Sequence, residues 1–130
     1  MDYPLFVYGT LRSGSGHAFA RLLESASEFV AAGRLRGSLY RIAHYPGWVE
    51  DSDGWVRGEI WQPRDAGSLL RELDEYEGPD YRRLVRGVET TARLIECWVY
   101  LYTKSVEGKP RIHSGDWLGQ QDGSSPDTVV

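Results

Sequence analysis

The stretch from Pro4 to Thr10, PLFVYGT, places the tightest limit on what this chain can fold into. It is apolar at consecutive positions rather than alternate ones, so as a strand it is buried on both faces. Cover for such a strand comes from helices on both sides or from a sheet that curls back on itself. Only two segments have helical spacing. HAFARLLESA sets Phe19, Leu22 and Leu23 on one side of a short helix. PRDAGSLLRELDEYEGPD is clearer, with Pro63 and Asp65 at its start, Leu69, Leu70 and Leu73 as its apolar stripe, and Gly78-Pro79 as its stop. Two helices are too few for a doubly wound sheet. The expected class is α+β, with a closed or nearly closed sheet.

The remaining apolar segments supply the strands. AAGRLRGSLYRIA reads as one strand with Leu35, Gly37 and Leu39 on a shared face, and WVRGEIWQP as another. YRRLVRGVET and ARLIECWVYLYT form a pair joined around Thr90 and Thr91, and the second, the most apolar of all, is expected to be central. HYPGW and SDG read as turns. The 5 Trp, 8 Tyr and 15 Gly suit pleated strands joined by tight turns. At 130 residues the chain is one domain, expected over 1–118, and the small polar residues of 119–130 read as a frayed tail.

Charge narrows the function classes. The formal net charge is −4 and the arginines are interleaved with acids and apolar residues, which disfavours nucleic acid and anionic membrane surfaces as partners. Small-molecule chemistry is the expectation. The single cysteine, Cys97, excludes an internal disulfide and, inside the most apolar strand, reads as a small core filler. The N-terminus lacks the marks of a signal peptide, and no apolar run is long enough to span a membrane, so a cytoplasmic location is expected. His17, His44 and His113 show no metal-ligand spacing, and no cofactor is expected.

The turn after the first strand carries the first functional signal. Gly9 and Gly14 have the separation of a phosphate loop, but Ser15 and Gly16 follow where Lys and Ser or Thr are needed. The dinucleotide pattern fails as well, since Phe19 stands where a third glycine belongs. What is left is a tight turn or an anion nest, whose converging backbone N–H groups hold a carboxylate as readily as a phosphate.

The second signal is LDEYEGPDYRRL, with Asp74, Glu75, Glu77 and Asp80 within seven residues. Glu77 follows Leu73 by four and Leu70 by seven, which sets it on the core-facing stripe at the negative end of the helix dipole. Burial and dipole both push its carboxyl pKa upward, into the range of acid–base chemistry at neutral pH. Those residues leave two readings open: a catalytic or ligand-contacting carboxyl, or a helix-end acid that reaches water. Asp74 is expected to bond the loop that follows it. Tyr100 shares a strand face with Trp98 and Tyr102, as core packing or as a hydroxyl lining a pocket.

Taken in order, FVYGTLRSG, LDEYEG, YRR, CWVYLY and SGDWL resemble the gamma-glutamylcyclotransferase-like superfamily over residues 3 to 118. The resemblance is closest to small bacterial members and to gamma-glutamylamine cyclotransferases. It implies a small, mostly antiparallel β-barrel with a few flanking helices and a pocket at one rim. It further implies that the turn Tyr8-Gly9-Thr10-Leu11 holds the substrate through backbone N–H groups, that Glu77 is the general acid–base, and that Tyr100 lines the pocket. Tyr81 falls where members often carry a tyrosine. The implied reaction is cyclisation of a gamma-glutamyl amide to 5-oxoproline with release of an amine, by a monomer or weak homodimer. A binding module on the same fold without turnover is the alternative. The loops at 43–48 and 104–113 are expected to choose the leaving group.

Overall fold

The computed structural model describes residues 3–9 and 18–117. Along the chain these form β1 (Leu5–Val7), α1 (Ala18–Ala26), β2 (Ser27–Arg36), β3 (Ser38–Arg41), β4 (Pro46–Val49), β5 (Trp55–Pro63), α2 (Ala66–Glu77), β6 (Tyr81–Glu89) and β7 (Leu94–Tyr102). Five strands follow one another in the order β1-β5-β2-β6-β7, and β1 also pairs with β7, so the sheet closes into a barrel. Every pairing in the ring is antiparallel except that parallel β1–β7 seam, where Leu5 faces Trp98. The β3–β4 hairpin extends the sheet beyond β7, with Trp48 opposite Leu101. The expected α+β barrel is present.

Closure explains the opening run. Phe6 and Tyr8 point into the barrel with Leu35, Val56, Ile60, Val88 and Val99. Leu5 and Val7 point outward beneath the helices, packed with Leu23 of α1 and Leu69, Leu70 and Leu73 of α2. β1 is therefore apolar at every position because one face fills the barrel and the other carries the helix layer. Leu73, with no exposed surface, contributes about 1.5–3 kcal/mol by burial. α2 starts where Asp65 caps it by accepting from Ser68 N, and ends where Gly78 N–H returns to Asp74 O. Pro63 belongs to the end of β5 rather than to the helix.

β7 is central, as its apolar composition indicates, with partners in β6, β1 and β4. Its Cys97 and Val99 fill the barrel, while Trp98 and Tyr100 face outward. Burial pushes the Cys97 thiol up to about 12, which suits an inert core filler.

Two local expectations are corrected. Residues 31–43 do not make one strand: β2 ends at Arg36 and β3 begins at Ser38, with Gly37 between them at φ +140°. A side chain at Gly37 would meet the Trp48 indole, whose Nε1–H donates to Arg36 O at 3.1 Å. HYPGW is a turn only in its first half. Pro46–Val49 is a strand, since Pro46 can open a strand without its N–H and Trp48 is drawn wholly into the barrel core.

Candidate active site

A cavity of about 250 Å³ opens at the barrel rim, where β1 and α2 end and β4 begins. Tyr8, Gly9, Pro46, Glu77, Tyr81 and Tyr100 stand in its wall. Five of the residues named from sequence, Tyr8, Gly9, Glu77, Tyr81 and Tyr100, thus converge from three distant parts of the chain. Thr10 and Leu11 lie outside the described residues, as do Gly14, Ser15, His17 and the segment 119–130. Gly9 faces Pro46 so closely that a Cβ there would come within 2.8 Å of the proline ring. A glycine at this position lets the turn approach the opposite lip of the cavity.

Glu77 is the last residue of α2 and is partly buried in the cavity wall. Among the described residues no hydrogen bond reaches its carboxyl. Desolvation, and after it the charge of Asp74, push its pKa up to about 7 from an ordinary 4.5. The rise expected from the sequence is therefore present. Its second cause is the neighbouring carboxylate of Asp74.

Asp74 does not bond the following loop through its side chain, as the sequence suggested. It reaches across to the barrel instead. Arg83 of β6 forks onto it, Nε to Oδ1 at 2.8 Å and Nη2 to Oδ2 at 3.0 Å, and the Tyr100 hydroxyl donates to Oδ1 at 2.7 Å. Arg83 holds the Asp74 carboxyl below its ordinary value, with the Tyr100 bond adding to the effect. Arg83 is itself steadied by stacking over Trp98, 4.2 Å from the ring centroid. Two carboxyls one helical turn apart are thus driven in opposite directions, one kept ionised and the other able to take and give a proton near neutrality. The part played by Arg83 was open to inference, because in β6 it alternates with Tyr81 and so shares its face.

The tyrosines brace the site. Tyr8 Oη donates to Tyr100 O at 2.7 Å and accepts from Trp48 N at 3.2 Å, tying β1, β7 and β4 together. Tyr81 Oη donates to Pro46 O at 2.6 Å, which holds the β4 lip over the cavity. Burial pushes both phenols upward, so they stay protonated. Among the described residues no group of three or more His, Cys, Asp or Glu is arranged to hold a metal ion, and no helix is long and apolar enough to cross a membrane.

Residues 5–119 match the family model described as gamma-glutamyl cyclotransferase, AIG2-like. The gamma-glutamylcyclotransferase family protein YtfP of Escherichia coli K12 is 33% identical over 126 residues, covering 88% of this chain and 95% of that protein. A putative gamma-glutamylcyclotransferase of Vibrio cholerae is 32% identical over 118 residues, covering 90% and 96%. The crystal structure of an AIG2-like protein from Mus musculus superposes with a TM-score of 0.70 at 26% identity, covering 85% of this chain and 86% of that one. On the family match and these relatives, the chain belongs to the AIG2-like gamma-glutamylcyclotransferase family.

Proposed function

We propose that this protein cyclises a gamma-glutamyl amide to 5-oxoproline, with Glu77 as the general acid–base. The observation that carries the reading is a carboxyl on the wall of a rim cavity, ionising at about 7 and bonded to no described residue. The substrate's own α-amine attacks its side-chain carbonyl, so no protein nucleophile is required. Glu77 takes a proton from the α-ammonium. The new C–N bond closes a five-membered ring, whose nitrogen gives up a second proton as the amide C–N bond breaks, and the departing amine receives both protons by way of Glu77 and leaves as its ammonium. A group near neutral pKa suits both halves of that exchange, which contributes roughly 10²–10⁴-fold. Holding the chain folded for attack adds up to about 7–11 kcal/mol.

In this reading the turn Tyr8-Gly9-Thr10-Leu11 holds the glutamyl head through backbone N–H groups, and Gly9 stands on the cavity wall to do so. Backbone donors there also steady the oxyanion that develops on the attacked carbonyl. Tyr100 lines the pocket, and through Asp74 it belongs to the same network as Arg83. The partner is a small molecule, acted on by a monomer or weak homodimer in the cytoplasm.

The test is 5-oxoproline release from a panel of gamma-glutamyl amides by the protein and by Glu77→Gln. Turnover on at least one amide, lost in a folded Glu77→Gln, is the expected result. Undiminished release by the variant refutes the role of Glu77. Binding of an amide without product over hours favours the binding module.

A further inference from the structure

Arginines that are scattered along the sequence are gathered by the register of β2 and β5. Leu35 and Val56 fill the barrel, so their strand neighbours Arg34, Arg36, Trp55 and Arg57 stand on its outer face. The pairing sets Arg34 opposite Arg57 and Arg36 opposite Trp55. The guanidiniums of Arg34 and Arg36 each lie 3.9 Å from the centre of the Trp55 indole. Arg34 also pairs with Glu89 at 3.0 Å, with both side chains half-exposed. Stacking on the indole accounts for Arg34 and Arg36 in the free molecule. It does not account for Arg57. Among the described residues no side chain bonds Arg57 and no carboxylate pairs with Arg36. Like charges directly opposite one another weaken an antiparallel pair. Here three guanidiniums stand against one carboxylate, in a chain whose formal net charge is −4.

The backbone under this patch is tied down. Arg57 N donates to Gly115 O at 2.8 Å, and Gly37 N donates to Gly54 O at 3.0 Å just beyond the paired strands. A partner therefore meets a face that is already ordered. Further along the same outer face Phe29 is 55% exposed, edge-on to Trp61 at 5.3 Å. Tryptophan and arginine are the side chains most enriched where protein partners bind tightly. The outside of a barrel is convex, which suits a macromolecule better than an enclosed small molecule. Carboxylates bound the patch on both sides, Glu89 opposite Arg34 and Glu59 next along β5. Charge repeating along a phosphate backbone or across an anionic bilayer meets repulsion there. A peptide can carry its carboxylates only where the arginines stand.

We infer that the outer face of β2 and β5 is a docking surface for an extended acidic segment of a partner protein. Its carboxylates lie over Arg36 and Arg57, and an apolar side chain lies against Phe29. None of these residues lines the rim cavity, and the surface does not depend on the cyclotransferase reading. From Phe29 to Arg36 the strand covers roughly 20 Å, the reach of about seven extended residues.

The probe is fluorescein-labelled pentaglutamate extended by Leu-Phe, titrated with the protein at low ionic strength and followed by anisotropy. Its counterpart with glutamine for every glutamate is expected to bind about 10-fold or more weakly, and added salt to weaken the acidic peptide alone. Arg36→Glu and Arg57→Glu should each weaken the acidic peptide by about 10-fold or more, and Phe29→Ser by about threefold or more. Arg71→Glu, on the exposed side of α2, changes the net charge equally and should leave the affinity within about twofold. Unfolding midpoints check each variant, and Arg57→Glu removes no contact with a described side chain. No binding of the acidic peptide, equal binding of its glutamine counterpart, or an affinity unmoved by both arginine variants overturns the surface. Tighter binding of an oligothymidylate or of anionic vesicles through the same arginines also overturns it. So does a dimer in sedimentation that Arg57→Glu dissociates, which would give the face to a second copy.

Discussion

Glu77→Gln is expected to make the protein more stable at pH 8, although it removes the proposed catalytic group. The carboxyl ionises at about 7 in the fold against an ordinary 4.5. A folded-state pKa raised in this way means that the native protein binds a proton more tightly than the unfolded chain does. The associated stability is present in full below 4.5, falls as pH rises from there to about 7, and is absent above. Each pH unit of that interval corresponds to about 1.4 kcal/mol, so wild type loses roughly 3 kcal/mol across it, or about half as much where water at the cavity mouth screens the charge. Glutamine is neutral throughout and has nearly the shape of the protonated acid. The advantage of Gln over wild type should therefore be small at pH 5 and reach about 1.5–3 kcal/mol at pH 8. Asp74 does not blur the comparison. Its pKa is depressed below 3.8, so its stabilisation is lost only as pH falls through a more acidic window. Urea unfolding of both proteins at pH 5 and pH 8, read from the midpoints at unchanged slope, measures the difference. A variant equal to wild type at both pH values, or less stable at pH 8, refutes the burial argument for Glu77.

Two further outcomes follow from the same geometry. The rate of 5-oxoproline formation, as kcat/KM, should rise with pH through about 7 as Glu77 becomes a base, and Asp74→Asn should move that midpoint to lower pH by removing the neighbouring negative charge; a pH–rate profile with an unmoved or higher midpoint contradicts this. Tyr8→Phe should cost about 1–3 kcal/mol in denaturant unfolding, because it strands the buried Trp48 N–H and Tyr100 C=O that the hydroxyl now joins, whereas an unchanged midpoint would show those groups repaired elsewhere.

Local periodicity was enough for the two helices, for β5 to β7, and for the placement of Glu77, because the spacing of Leu70, Leu73 and Glu77 reports which side of α2 faces inward. The uninterrupted apolar run of β1, together with so few helices, also implied a sheet closed on itself. The raised Glu77 pKa follows in direction from burial at that position. Tertiary structure alone decided the rest. Pro46–Val49 looks like a turn and becomes a strand because the barrel core takes Trp48, and a tryptophan's preference for a core depends on what surrounds it. One glycine between Arg36 and Ser38 divides an apparently continuous strand, since the Trp48 indole occupies the space a side chain would need. The carboxylate that raises Glu77 is a sequence neighbour, but its ionisation depends on Arg83 and Tyr100, which β6 and β7 bring to it from positions nine and twenty-six residues away. Periodicity records which face of an element is buried. Which element lies opposite, and hence which charge and which proton meet, is set only when the ring of strands closes.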